Sequence, residues 1–391
     1  MKDQYQSTIY ACYLGYITQA IVNNLAPLLF VLFIDRFSLS LGTITLLTTF
    51  NFFTQLCVDI LSAKFVDRIG YRVCAVAAHV FCSLGLLCLA VLPGLFQNAF
   101  IGLLISCILY AIGGGLIEVI ISPIVEACPS EHKASAMSLL HSFYCWGSVS
   151  VILISTLVLK MIGHTHWQIL PVIWACIPFF NAIWFTKVPI LTLVSKEEGM
   201  SIKELLSSKL FWLFFFAMIA SGASELSMSQ WASAFAEKGL HVSKTMGDIC
   251  GPCFFAVLMG LSRVFYGKNG EKINLMKFIQ YSSLLCVGSY LLCVFSPSPL
   301  FSLLGCGLCG LSVGIMWPGV FSLAASKMPK GGTAMFALLA LAGDVGCTCG
   351  PTLVGRVADL FQDNLKTGFL FAMCFPVVLY ICIIILKKAY R

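Results

Sequence analysis

Apolar runs of about twenty residues, the length an α-helix needs to cross a bilayer, follow one another along this chain with only short breaks between them. They fall near residues 9–34, 41–64, 73–94, 97–127, 134–160, 167–187, 209–236, 245–267, 274–294, 298–326, 333–357 and 366–386. Lipid offers no partner to backbone N–H and C=O groups, so each run must be a helix that satisfies its own backbone. Composition agrees: 59% of the residues are hydrophobic and 10% are charged, against about 25% charged in a soluble domain. No polar stretch is long enough to build a soluble domain. The expected fold is an all-α membrane protein with twelve transmembrane helices.

The clear exception to the short breaks is 188–208, which holds Lys196, Glu197, Glu198, Lys203 and Glu204. It separates residues 1–187 from 209–391, each with six apolar runs. This is the plan of a parallel repeat of two six-helix bundles joined by an interdomain loop. Lys and Arg alternate from side to side of the runs. One side receives 18 of the 24, among them Lys64, Arg68, Arg72, Lys133, Lys203, Lys268, Lys330 and Lys387; the other receives 6. The richer side is cytoplasmic, which places both termini and the central loop inside. The first run is too long for a cleaved leader and lacks a small-residue cleavage site, so it reads as a retained span.

The net charge of +7 is scattered through these loops, a topology signal rather than a nucleic-acid surface. Nearly all of the nineteen cysteines lie inside apolar runs, where Cys behaves as a small hydrophobe. Cys306 with Cys309 and Cys347 with Cys349 have metal-like spacings, but no His or carboxylate pattern completes a zinc site. No nucleophile–base pair or phosphate-binding glycine loop is present. An enzyme is not expected, and neither a metal nor a cofactor.

The loop after the second run reads Ala63-Lys-Phe-Val-Asp67-Arg68-Ile-Gly70-Tyr-Arg72. Gly70 permits a tight turn between antiparallel helices. Asp67 can face the positive end of a helix, and Arg68 and Arg72 can pair with acids on the cytoplasmic face. A degraded copy, Gly260-Leu-Ser-Arg263 through Gly267 and Gly270, stands at the same point of the second half. The first loop resembles the Gly-x-x-x-Asp-Arg-x-Gly-Arg-Arg signature of the major facilitator superfamily, with Ala63 at the first glycine. The resemblance implies alternating access, with these residues in a gate.

Further stretches are similar to the fucose-permease branch of that superfamily: Asn23-Asn24-Leu25 in the first run; Gly113-Gly-Gly through Glu118, Ser122 and Pro123 in the fourth; Trp317-Pro318 through Phe321-Ser322-Leu323 in the tenth. This implies transport of a sugar-like substrate coupled to protons, with Glu118 in place of the branch's helix-four acid. The branch's helix-one acid falls on Pro27 here, and its Asn before Pro on Ser122.

Acids in mid-span cost about 3 kcal/mol to insert and face a protein interior or a water-filled cavity. Glu118, Glu225 and Asp344 are the proton-coupling candidates, with no Lys or Arg expected at their depth. Asp59 and Glu126, near cytoplasmic ends, join the gating set with Asp67, Arg68, Gly70, Arg72 and Arg263. Asn51, Gln55 and Asp59 share one helix face by spacing. Gln19, Asn23 and Asn24 in the first run, His141 and Trp146 in the fifth, Gln230 and Trp231 in the seventh and Trp317 in the tenth complete the binding candidates. Amides supply both donors and acceptors and a Trp face can stack on a pyranose ring, a mix suited to a neutral polyol. Three modes stay open: proton symport of a sugar-like molecule, uncoupled facilitation of the same substrate, and proton-antiport export of amphipathic compounds. The expected partners are the substrate, protons and lipid, and the family expectation is a monomer.

Overall fold

The computed structural model describes residues 2–39, 41–130, 132–191, 199–232, 235–236, 240, 242, 246–247, 249–362 and 364–389. Lys196, Glu197 and Glu198 of the central loop lie outside them, as do Lys238, Lys244, Arg391 and parts of the seventh and eighth predicted spans. The described residues form helices and contain no strand.

The order is α1 (Gln6–Leu28), α2 (Phe30–Phe37), α3 (Leu41–Ile69), α4 (Tyr71–Leu95), α5 (Ala99–Ala127), α6 (Lys133–Ile162) and α7 (Ile169–Phe185). There follow the short α8 (Ile202–Ser207), α9 (Lys209–Ser229), α10 (Phe254–Asn269), α11 (Leu275–Phe295), α12 (Pro299–Val313), α13 (Met316–Lys327), α14 (Gly332–Leu360), α15 (Leu365–Ala372) and α16 (Cys374–Ala389). Among the described residues, 10 stretches are long and apolar enough to cross a bilayer, with α12–α13 and α15–α16 each forming one. At 17 residues α7 is apolar but short; at 1.5 Å per residue it reaches about 25 Å, the lower limit for a span. The helix pair α1–α2 occupies the first expected span and is not among those 10, its apolar character diluted by Gln19, Asn23 and Asn24. Pro27 interrupts it: Leu29 N bonds back to Ala26 O at 3.0 Å before α2 resumes.

By internal packing the chain falls into two compact units, Met1–Ser130 with Trp146–Gly199, and Glu131–Cys145 with Met200–Arg391. The boundary cuts α6, so residues 132–145 pack with the second unit.

In the first unit, α5 is the central helix because three successive glycines let three neighbours approach. A Cβ at Gly113 would strike Ala78 O and Cys82 of α4; one at Gly114 would lie 3.1 Å from Gln19 Oε1 of α1; one at Gly115 would lie 3.1 Å from Gln55 Cα of α3. Polar pins then hold the layers. Asn181 Nδ2 of α7 reaches Ala11 O of α1 at 3.0 Å and His79 Nε2 of α4 at 2.8 Å, and His79 Nδ1 lies 2.7 Å from Ala75 O. That is a neutral ring, donating through Nδ1 and accepting at Nε2. Tyr16 and Ser122 join α1 to α5 at 2.9 Å.

In the second unit, glycines again form the seam: Gly222 of α9 lies on Gly343 O of α14, and Gly346 on Ile219 O. Thiols of α11 and α12 face each other, Cys293 with Cys306 at 3.7 Å and Cys286 with Cys309 at 3.9 Å. Tyr290 donates to Ser224 O at 3.0 Å. Leu95, Phe180, Phe295 and Leu300 are among the many large apolar side chains left exposed, as lipid-facing positions require.

Gly113→Val is therefore expected to destabilise the folded protein by about 1–3 kcal/mol or more through overpacking. Gly94→Ala on α4, with open space around it, should be close to neutral. Thermal unfolding in detergent compares the two.

Candidate functional site

The first unit gathers polar side chains from α1, α3 and α5. Glu118 stands one turn beyond Gly114, so the helix that admits α1 and α3 also presents a carboxylate to them. Gln19 Nε2 donates to Glu118 Oε2 at 3.1 Å and to Gln55 Oε1 at 3.2 Å. Gln55 Nε2 donates to Asn23 Oδ1 at 3.0 Å, and Asn51 Nδ2 donates to the same oxygen at 3.2 Å. The bonds share one direction. A carboxylate only accepts, so an ionised Glu118 turns Gln19 nitrogen-first, and each later amide follows. Gln19, Gln55 and Asn51 are buried, while Asn23 and Glu118 are half-buried. Two buried oxygens, Gln19 Oε1 and Asn51 Oδ1, have no hydrogen-bond partner among the described residues.

Asn23, Asn51, Gln55 and Glu118 are thus brought together, with Gln19 as the link that joins the acid to the amides. Asn24 turns elsewhere, donating to Ala20 O at 2.8 Å and Ser148 Oγ at 3.1 Å. Asp59, the third member of the α3 stripe, is fully buried. Trp146 is half-buried on the part of α6 that belongs to this unit.

The second unit holds a different device. Arg263 of α10 and Glu225 of α9 form an ion pair at 3.3 Å, their side chains 3% and 11% exposed. Arg263 Nε donates to Gly314 O at 2.9 Å, and Nη1 donates to His141 O at 3.0 Å and lies 3.2 Å from Cys145 Sγ. Ser138 Oγ donates to Arg263 O at 2.8 Å. This corrects the expectation that no cation meets the buried acids, and it sets Arg263, counted to the cytoplasmic side, in the core. The copy of the loop signature does not make a loop at that point. The helix runs through Gly260 and Gly267 to Asn269, and the turn falls at Gly270–Lys272. Leu261, Val264 and Phe265 around Arg263 were the signal that a cation lies within an apolar run.

The remaining candidates are dispersed. His141 has Nδ1 2.9 Å from Met137 O, a contact within its own helix. Trp317 is buried against Gly343 and Phe321, and Trp231 Nε1 donates to Pro351 O at 2.9 Å. Gln230 is exposed at the end of α9, Asp344 is buried on α14, and Glu126 is half-buried on α5. Gly70 adopts a φ of +97° between α3 and α4, as a tight turn demands. Asp67 and Arg68 are exposed. Arg72 meets backbone carbonyls: its Nη1 donates to Phe185 O at 2.9 Å and Thr186 O at 2.8 Å. A cation at the carbonyl end of α7 satisfies groups the helix leaves open. Reading the sequence missed the His79–Asn181 pin and the backbone carbonyls that hold Arg263.

Apolar helices of membrane-spanning length, with acids and amides buried inside each unit, narrow the comparison with known proteins. The family model of the Major Facilitator Superfamily matches residues 12–351. The chain belongs to the Major Facilitator Superfamily. It is a multi-pass membrane transporter, not an enzyme. The membrane protein MosC of Rhizobium meliloti is 25% identical over 259 residues, an alignment covering 66% of this chain and 61% of that protein. Among solved structures, the transporter FucP in its outward conformation superposes with a TM-score of 0.82 at 15% identity, covering 97% of this chain and 98% of the other. The E. coli fucose:proton symporter FucP gives 0.80 at 16% identity with the same coverage. The proton:xylose symporter XylE, bound to 6-bromo-6-deoxy-D-glucose, gives 0.84 at 11% identity, covering 97% and 95%. At these identities the likeness is one of fold.

Removing one partner of a buried ion pair costs about 3–5 kcal/mol, because the other charge is left without compensation. Arg263→Ala is expected to lower stability by that order, and the double variant Arg263→Met with Glu225→Leu to recover most of it. Thermal unfolding of the three proteins in detergent tests this. A double variant no more stable than Arg263→Ala would show that the pair is not what the site depends on.

Proposed function

We propose that this transporter is an alternating-access symporter that imports a sugar-like polyol together with protons across the cell membrane. It acts as a monomer with both termini cytoplasmic, in two repeated halves on either side of the loop at 188–208. The observation that carries the reading is the amide chain ending at Glu118. It offers a line of hydrogen-bonding groups to a neutral polar ligand and joins them to one ionisable group. Two of its buried oxygens have no hydrogen-bond partner among the described residues, so hydroxyl donors that reach them complete the network.

The second unit supports a neutral rather than an anionic substrate. The guanidinium of Arg263 is spent on Glu225, Gly314, His141 and Cys145 and is not on offer to a ligand anion. Two named neighbours of the same fold, a fucose:proton symporter and a proton:xylose symporter, are in keeping with the same class. Pro27, standing where the fucose-permease branch has an acid, favours one second reading: uncoupled facilitation of the same substrate.

Proteoliposomes loaded at neutral pH and given an inward proton gradient test the reading with labelled L-fucose, D-xylose and sorbitol. Uptake of at least one is expected to rise several-fold with the gradient. Glu118→Gln should abolish accumulation against a gradient while counterflow exchange persists. Uptake indifferent to both the gradient and Glu118→Gln would establish the facilitator instead. Accumulation of amphipathic cations in inverted vesicles, with no sugar transport, would establish the exporter.

A further inference from the structure

The amide chain from Glu118 has two mirror-image settings. In the observed one, four hydrogen bonds run Gln19 to Glu118, Gln19 to Gln55, Gln55 to Asn23 and Asn51 to Asn23, each written donor first. Placing one proton on Glu118 gives its carboxyl a donor. If the four amides then turn over, Glu118 donates to Gln19 Oε1, Gln55 to Gln19 Oε1, and Asn23 to both Gln55 Oε1 and Asn51 Oδ1. The number of bonds is unchanged. The two oxygens that were open, Gln19 Oε1 and Asn51 Oδ1, are now occupied, and the open groups are the amide nitrogens of the same two residues.

Turning over an amide changes neither its volume nor its outline, and its terminal torsion is broad and roughly two-fold. The tight packing around Gly114 and Gly115 is therefore no obstacle. No proton travels along the chain. Glu118 takes one from water, and each amide rotates with its own hydrogens.

Resting on the reading of Glu118 as the proton site, we infer that Gln19, Gln55, Asn23 and Asn51 form a polarity relay. It converts protonation of Glu118 on α5 into an exchange of acceptors for donors at Gln19 on α1 and at Asn51 on α3. The relay also names the ligand chemistry. A hydroxyl both donates and accepts, so a polyhydroxyl compound is held in either setting with its bonds reversed. An ammonium group suits only the ionised setting, and an ether or carboxylate only the protonated one. Hydrogen-bonded positions of this kind discriminate strongly, because a mismatched group leaves a buried partner unmade.

Other titratable groups lie on the helices packed against α5. Tyr16 of α1 is bonded to Ser122, His79 of α4 is held by Ala75 and Asn181, and Cys82 of α4 lies on Tyr110 O. Asp59 of α3, one turn from Gln55 and fully buried, is the other carboxyl whose titration must be separated from that of Glu118.

Infrared difference spectroscopy on the substrate-free protein in detergent separates them, with the proton as the only probe. One sample carries carbon-13 in glutamine side-chain carbonyls and another in those of asparagine. Acidification is expected to produce a protonated-carboxyl band together with shifts of both labelled amide bands. Glu118→Gln should remove all three, and Asp59→Asn should leave them. Gln55→Met cuts the chain in the middle: the glutamine response should remain and the asparagine response vanish. Asn23→Leu cuts it one link later and should give the same split should Gln55→Met fold poorly. Amide bands that stay still while the Glu118 carboxyl band appears would overturn the relay, as would an asparagine response that survives both cuts. So would a Glu118 band absent across the pH range in which the protein is folded. Proton-driven sugar uptake without an amide response would sink the relay alone. An amide response with no sugar transport would sink the proposed function and leave the relay standing.

Discussion

A polar group removed from water must find its hydrogen bonds inside the protein, or it costs several kcal/mol in hydrocarbon. Every feature described above answers to that constraint. It makes the described spans helical. It sends the amides of α1 and α3 toward the carboxylate of α5, and it gathers backbone carbonyls around Arg263. It also explains why the helices approach so closely. Without water to drive apolar burial, contact between spans rests on packing and on bonds across the seam, and glycine permits both. The run Gly113–Gly115 serves three neighbours at once, which is how Glu118 comes within reach of Gln19 on α1 and, through it, of Gln55 on α3.

The two units meet the cost of a buried acid in different ways. Glu225 is met by a full opposite charge whose remaining hydrogen bonds go to backbone and sulfur. Such a pair is costly to break and makes a fixed point. It ties α9, α10 and residues 138–145 of α6 within one unit. Glu118 accepts from the neutral amide of Gln19, a group that bonds a carboxylate in one orientation and a carboxylic acid in the other. An acid held in this way changes its charge at little cost to the network. This physical difference is why the proposal seats the coupled proton on Glu118 rather than on Glu225.

The fold class, the crossings and the buried acids are legible in the amino-acid order, because hydropathy and spacing act locally. Apolar runs of a given length can only be spans, a mid-span carboxylate must face inward, and Asn51, Gln55 and Asp59 share a face by helical period alone. The Gly70 turn is legible for the same reason. Partners are not. Whether Arg263 lies in a loop or in a core depends on where α10 ends, and one glycine-spaced stretch permits either. That Arg72 binds the carbonyl end of α7, and that His79 closes on Asn181, depends on helices far apart in sequence. Gln19 could be named as a polar residue of the first run, but nothing local says that it joins Glu118 to Gln55. Periodicity decides which face a side chain occupies; only the packing of α1, α3 and α5 decides what stands opposite it, and hydrogen bonds are made across that gap.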